Sequence, residues 1–334
     1  MYIVTGGAGF IGSAVVWKLN QLGIDDILVV DELGTSDRWR NLTPLRFDDY
    51  LHKDEFLRLV ERSALAKPTA VVHLGACSST TERDADYLME NNYRYTRRLA
   101  EWCLAGDTRF IYASSAATYG DGRLGYRDDD ATTRRLRPLN AYGYSKQIFD
   151  LWALRTGALD KIVGLKFFNV FGPNEYHKED MASVVFKSFH QIEATGRVQL
   201  FKSTVPEFGD GGQMRDFVYV KDCVDVIAWL LESAIGGIFN LGTGRARSWN
   251  DLTHSVFSAM QRPPQIDYVE MPQALRGKYQ NFTEAAMGKL QAAGCPVRFR
   301  SLEQAVWDYV VHHLATDDPH LDARCDRDGK RRAA

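Results

Sequence analysis

Short apolar runs alternate with helical-period stretches along the first half of this chain. Tyr2-Ile-Val-Thr5 reads as a strand and Phe10 to Leu22 as an amphipathic helix. Further strand signals stand at Ile27-Leu-Val-Val-Asp31, Ala70-Val-Val-His-Leu74, Arg109-Phe-Ile-Tyr-Ala113 and Ile162 to Phe168, with helical stretches such as Asn91 to Leu104 and Tyr142 to Thr156 between them. That alternation predicts an α/β fold with a Rossmann-type doubly wound parallel sheet. After Gly172-Pro173 the pattern loosens into a helix near Met181 to Thr195, a strand Val198-Gln-Leu-Phe201 and a Gly-rich loop Val205 to Gln213. Residues 1–171 are therefore expected to form the Rossmann domain, with segments at about 214–245 returning to it. Residues 172–313 form a smaller C-terminal α/β part, and 314–334 a polar, disordered tail. Ser248 with Asp251 three positions on predicts a capping box.

The turn after the first strand changes this picture from architecture to chemistry. Gly6-Gly-Ala-Gly9-Phe-Ile-Gly12 joins strand to helix directly. In that setting Gly6 permits the turn, Gly9 lets backbone approach a pyrophosphate, and Gly12 lets helix pack on strand. The phosphates would lie at the helix N-terminus. The second strand ends in Asp31, placed to bond an adenosine ribose, which argues for NAD. Arg38, Arg40 and Lys53 follow, and cations there suit a 2′-phosphate, which argues for NADP. Residue chemistry alone leaves the two cofactors evenly matched.

Tyr142 and Lys146 lie four residues apart, on one face of a helix. A phenol titrates near about 10 in water, and a lysine ammonium one turn away would lower that value and let Tyr142 act as a base. Ser115 follows the strand at Arg109 and would sit at the carboxyl edge of the sheet, where its hydroxyl can donate to the same substrate oxygen. A serine there can also cap a turn, and Ser114 is its immediate rival.

Composition narrows the class. With 334 residues, 45% hydrophobic, 25% charged and a formal charge of −2, the chain reads as an ordinary globular protein with no call for a nucleic-acid or membrane partner. Met1 leads straight into the first strand, so no signal peptide is expected and a cytoplasmic location is. The five cysteines show no C-x-x-C pairing, so reduced thiols and no metal are expected.

Taken together, residues 1 to about 313 resemble the extended short-chain dehydrogenases, and within them the ADP-L-glycero-D-manno-heptose 6-epimerase family. The narrower pieces are Gly75-Ala-Cys-Ser-Ser-Thr-Thr81, Asn91-Asn-Tyr93, Phe168-Asn-Val-Phe-Gly-Pro173, His177-Lys178 with Met181-Ala-Ser183, Arg215-Asp-Phe-Val-Tyr219 and Gly277-Lys-Tyr-Gln280. The resemblance implies oxidation at C6 of a nucleotide-linked heptose by bound NADP and return of the same hydride. It also implies two acid/base groups, Tyr142 and Lys178, and a homo-oligomer with a pentamer as the candidate. A loop lysine holding a phosphate is the alternative role for Lys178.

Cofactor positions carried over are Phe10, Ile11, Asp31, Glu32, Arg38, Lys53, Leu74, Gly75, Ala76, Cys77, Ser78, Asn91, Tyr142, Lys146, Val170 and Lys178. Substrate positions are Ser115, Asn169, Asp180, Lys187, Phe201, Lys202, Ser203, Thr204, Arg215 and Tyr279. The family usually has Lys at Arg38, Glu at Leu74, a Gly-Ser pair at Glu179-Asp180 and His at Lys187, and the loop before Arg215 is longer here. A nucleotide-sugar 4-epimerase fits the same Tyr/Ser chemistry, and a non-catalytic dinucleotide sensor would share the fold. A 4,6-dehydratase is disfavoured because Ala116-Ala117 follow Ser115 where elimination needs an acidic pair.

Overall fold

The computed structural model describes residues 1–273 and 280–324. Twelve strands run β1 (Tyr2–Thr5), β2 (Ile27–Asp31), β3 (Asp49–His52), β4 (Ala70–His73), β5 (Arg109–Ser115), β6 (Val163–Phe167), β7 (Asn169–Phe171), β8 (Val198–Phe201), β9 (Met214–Tyr219), β10 (Gly237–Leu241), β11 (Ala246–Ser248) and β12 (Ile266–Val269). Seven form one sheet in the order β10-β6-β5-β4-β1-β2-β3, and every pairing in it is parallel. The chain leaves β1 in opposite directions towards β2 and β4, so a crevice opens at the carboxyl ends of these strands.

Period-2 alternation builds two cores from the same strands. Ile3, Leu28, Val30, Val71, Phe110 and Tyr112 face one side, where Leu99 and Ala100 of the helix Tyr95–Ala105 and Phe149 and Ala153 of the helix Ala141–Thr156 cover them. Val4, Val29, Val72, Ile111, Val163 and Leu165 face the other, under the helices Phe10–Gln21 and Val220–Glu232. Both faces of β2, β4 and β6 are buried, which is why these strands are continuous rather than alternating in hydrophobicity.

The later segments are divided more finely than the apolar pattern suggests. Only β10 rejoins the large sheet; β9 instead pairs with β7 and β11 in a small mixed sheet, and β8 pairs with β12. Ser248 and Asp251 make the reciprocal capping box. The expected fraying from about residue 314 does not apply to residues 315–324, which are tied down. Trp17 Nε1 donates to the Asp322 carbonyl (3.2 Å), Ala323 N to the Pro44 carbonyl (3.0 Å) and Tyr176 OH to the Pro319 carbonyl (2.7 Å). Leu321 and Ala323 are buried, so apolar contacts that polarity alone concealed hold this segment.

A Cβ on Gly12 would fall 1.9 Å from the Gly6 carbonyl oxygen and 2.9 Å from the Gly7 Cα. Gly12→Ala should therefore push the helix off the strand, cost roughly 1–3 kcal/mol and lower both the thermal midpoint and dinucleotide retention. An unchanged melting curve with normal cofactor content would contradict this account of the turn.

Candidate active site

The crevice at the strand ends is a cleft of about 710 Å³. At its floor the β1 turn approaches the β4 loop so closely that a Cβ on Gly6, whose φ is +68°, would lie 2.6 Å from Gly75 N. Thr5 Oγ1 contacts His73 Nδ1 (2.6 Å) and His73 Nε2 contacts Thr96 Oγ1 (2.8 Å), which pins the two strand ends beneath the turn. Burial, with Lys146 adding to it, pushes the His73 imidazole down to about 3, so the ring is neutral there. The helix Phe10–Gln21 starts at Gly9 with no side chain capping it, and Gly6, Gly9, Phe10, Ile11 and Gly12 line the cleft. Its first-turn N–H groups and bare glycine backbone fit a pyrophosphate.

The β2 end forms the adenosine side. Asp31 Oδ2 accepts from Ala8 N (2.9 Å) and Oδ1 from Glu32 N (2.7 Å), so this carboxylate also braces the glycine turn. Arg38 Nη1 stands 3.4 Å from Asp31 Oδ1. Lys53 Nζ lies 3.3 Å from Glu32 Oε2 and 3.4 Å from Asn91 Oδ1. Asp31, Glu32, Arg38, Lys53 and Asn91 all line the cleft, so two cations and two carboxylates share one rim.

Leu74, Gly75, Ala76, Cys77 and Ser78 form the wall leading to Tyr142 and Lys146. Asn140 caps the helix Ala141–Thr156 by accepting from Gly143 N (2.7 Å), so Tyr142 sits in its first turn at the cleft. Ser115 is at the end of β5 within hydrogen-bonding reach of the Tyr142 phenol, and its Oγ also accepts from Ala117 N (3.1 Å). Ser114 is otherwise committed: its Oγ donates to Asp150 Oδ2 (2.7 Å), a fully buried carboxylate that also receives Tyr112 OH (2.9 Å) and Lys166 Nζ (2.6 Å). The two serines are thereby told apart.

Burial raises the Tyr142 phenol; the Ser115 hydrogen bond pulls it down and the Cys77 thiol pushes it up. The lowering expected from the Tyr142/Lys146 spacing does not lead here: burial does, and Ser115 rather than Lys146 opposes it. Burial brings Lys146 down to about 8, with Asp150 and Cys77 opposing that fall. Lys178 reaches the cleft from the turn Tyr176–Met181, its Nζ 5.2 Å from the Phe10 ring centre. Burial lowers its pKa, the Glu175 carboxylate raises it and Lys187 lowers it further.

Asn92 carries a placement that the sequence reading missed. It is buried in a wide helical turn Met89–Arg94, accepts from Cys77 N (2.9 Å), and donates to the Cys77 carbonyl (2.9 Å) and Ser145 Oγ (3.0 Å). It therefore ties the cleft wall to the helix bearing Tyr142. The Asn91-Asn-Tyr93 motif marked the place, but not that Asn91 would line the cleft while Asn92 is buried behind it.

The expected substrate positions divide. Ser115, Asn169, Asp180, Lys187, Phe201 to Thr204 and Arg215 are not among the residues lining the cleft, and neither is the expected cofactor position Val170; Ser114 and Met181 are. Val170 packs against the core, Lys187 Nζ donates to the Asp180 carbonyl (2.6 Å), and Lys202 pairs with Glu270 (3.1 Å). In the loop between β8 and β9 Gln213 Nε2 donates to the Lys202 carbonyl (3.2 Å), and the Arg215 guanidinium lies 5.7 Å from the Trp249 ring. Tyr279 lies outside the described residues.

A glycine-cradled cleft with a Ser/Tyr/Lys trio at the end of a doubly wound sheet defines a nicotinamide-dependent enzyme of the short-chain dehydrogenase type. Residues 2–242 match the NAD dependent epimerase/dehydratase family, and the chain belongs to it. An ADP-L-glycero-D-manno-heptose-6-epimerase of Nitratidesulfovibrio vulgaris (strain Hildenborough) is 63% identical over 323 residues, covering 96% of this chain and 100% of that protein. Among solved structures, an ADP-L-glycero-D-manno-heptose-6-epimerase of Helicobacter pylori superposes with a TM-score of 0.79 at 26% identity, covering 94% of this chain and 96% of that one. A Thermus thermophilus UDP-glucose 4-epimerase in complex with NAD superposes with a TM-score of 0.72 at 28% identity, covering 93% and 98%. A nicotinamide dinucleotide is the cofactor of this family.

Tyr142→Phe should leave folding and cofactor content intact and lower kcat by about 10²–10⁴-fold, the usual contribution of a positioned proton acceptor. Near-normal turnover would remove Tyr142 from the chemistry. The charged form of Lys146 is disfavoured by burial, so its proton leaves as pH rises through about 8 rather than 10.5. A kcat–pH profile should fall on that alkaline side, and Lys146→Arg, whose charge persists, should abolish the fall. A limb that survives the arginine substitution belongs to another group.

Proposed function

We propose that the protein inverts C6 of ADP-D-glycero-β-D-manno-heptose to give the L-glycero epimer, in the supply of heptose for the lipopolysaccharide core, by transient oxidation with tightly held NADP. The carrying observation is that Tyr142 and Lys178 reach one cleft from different elements, the first from a helix after β5 and the second from the turn after β7. A 4-epimerase needs one acid/base group for a sugar that pivots; two groups on different walls suit an alcohol oxygen that lies differently in the two epimers. The 63% identity to a heptose epimerase supports the same reading.

When bound, the dinucleotide supplies a hydride acceptor and then donor for C6, leaving no net redox change. This chain's residues move the protons and hold the reactants. Ser115 hydrogen-bonds the C6 oxygen and Tyr142 takes its proton in one stereochemical sense. Lys146, one helical turn from Tyr142 and brought down to about 8 by burial, would stabilise the phenolate and hold the cofactor ribose. Lys178 is the proton-transfer group for the opposite sense, and its lowered pKa brings that proton nearer to exchange at working pH. Ala116 and Ala117 after Ser115 leave no acidic pair there for elimination.

Arg38 beside Asp31 and Lys53 beside Glu32 support NADP, since two cations on the adenosine rim suit a 2′-phosphate. Arg215, Asn169, Phe201 to Thr204 and Tyr279 are assigned to the ADP-sugar, which would extend beyond the cleft towards the smaller sheets. A homo-oligomer, with a pentamer as candidate, and a cytoplasmic location complete the reading. No helix among the described residues is long and apolar enough to cross a membrane.

In deuterated water, C6 of the product heptose should carry no deuterium by NMR, because the hydrogen leaves and returns as hydride. Deuterium at C6 would mean proton abstraction from carbon and would end the proposal. Arg38→Glu should weaken NADP binding more than NAD binding; equal weakening would take Arg38 out of cofactor choice.

A further inference from the structure

The turn that presents Lys178 is closed by one buried carboxylate. Glu175 and Asn174 are both fully buried at its start. Glu175 Oε2 accepts from Ser183 N (2.6 Å) and Oε1 from Ser183 Oγ (2.7 Å), with Gly172 N at 3.3 Å from the same oxygen. Its carbonyl accepts from Lys178 N (3.0 Å). The side chain thus bridges the two ends of the turn, and Ser183 is also the N-cap of the helix Val184–Thr195. Asn174, at φ +76°, fixes the backbone on the other side: Nδ2 donates to Ser13 Oγ (2.9 Å), Oδ1 accepts from Leu321 N (2.9 Å), and its carbonyl accepts from Asn41 Nδ2 (3.0 Å).

Burial raises the Glu175 carboxyl and Lys178 is the first group to oppose that rise; held by several donors in a rigid frame, the side chain cannot swing away from the turn. The ammonium nearest in sequence is Lys178, whose proton affinity the carboxylate raises against burial. Lys187, beyond the turn, acts in the opposite direction. We propose that Glu175 is a positioning residue for Lys178, its anchored carboxylate closing the turn that aims the lysine into the cleft. This rests on the reading of Lys178 as the second proton-transfer group.

The test uses the purified holoenzyme and a double-mutant cycle of E175Q and K178M, with kcat and KM measured on ADP-D-glycero-β-D-manno-heptose alongside bound-cofactor content. Glutamine keeps the shape and an acceptor for Ser183 N but removes the charge. E175Q should lower kcat about tenfold, leave KM within about twofold, and make no further difference once K178M is present, the signature of coupled residues. The same loss of kcat in both backgrounds would overturn the proposal, since Glu175 would then act on the fold and not through Lys178. K178M that raises KM alone would instead overturn the reading beneath it. Should E175Q fail to fold, S183A removes one anchor while keeping the charge; a smaller kcat loss, absent in the K178M background, supports the proposal, and no loss overturns it.

Discussion

Everything in the cleft depends on how closely the β1 turn and the β4 loop can approach. A side chain at Gly6 would strike the Gly75 backbone, and one at Gly12 the Gly6 carbonyl. With no Cβ in the way, the helix Phe10–Gln21 sits directly on the sheet and presents its uncapped N-terminus to the crevice. The same contact brings Leu74 to Ser78 alongside, and Asn92 then joins that wall to the Tyr142 helix. The glycine turn and the Tyr142 helix therefore stand at two ends of one continuous cleft wall.

The second consequence is electrostatic. The cleft is lined by groups taken out of water, and burial leads every resolved shift at Tyr142, Lys146 and Lys178. It favours a neutral phenol and less basic ammonium groups. Fixed charges oppose it: Asp150 behind Lys146, and Glu175 behind Lys178. Asp150 is itself paired with the fully buried Lys166, so breaking either partner would leave a buried charge unpaired. Asp150 and Glu175 act on Lys146 and Lys178 from outside the cleft lining, and Cys77 acts on Tyr142 and Lys146 from within it.

Much of this was legible in the sequence, because it depends on local rules. Strand-turn-helix context exposed the glycine cradle, and i,i+4 spacing put Tyr142 and Lys146 on one face. Other features depend on partners far away in the chain. Ser115 and Ser114 are adjacent in sequence, and only the Asp150–Lys166 pair commits the second to the core. β9 looks like any apolar strand, yet its neighbours are β7 and β11. Residues 315–324 read as polar, yet Leu321 and Ala323 anchor them against the N-terminal helix region. The Tyr142 phenol departs from its spacing-based expectation because spacing carries no measure of burial.

The central claim is that one cleft removes a hydride and restores it to the same carbon of the same molecule. The most direct measurement mixes C6-deuterated ADP-D-glycero-β-D-manno-heptose with substrate that is protiated at C6 and carries ¹³C elsewhere in the sugar, and reads the product by mass spectrometry. The account predicts that deuterium stays wholly with the ¹²C molecules through complete epimerisation. Deuterium appearing on ¹³C product would mean that the oxidised sugar leaves before reduction, and would contradict a single closed site acting on a retained intermediate.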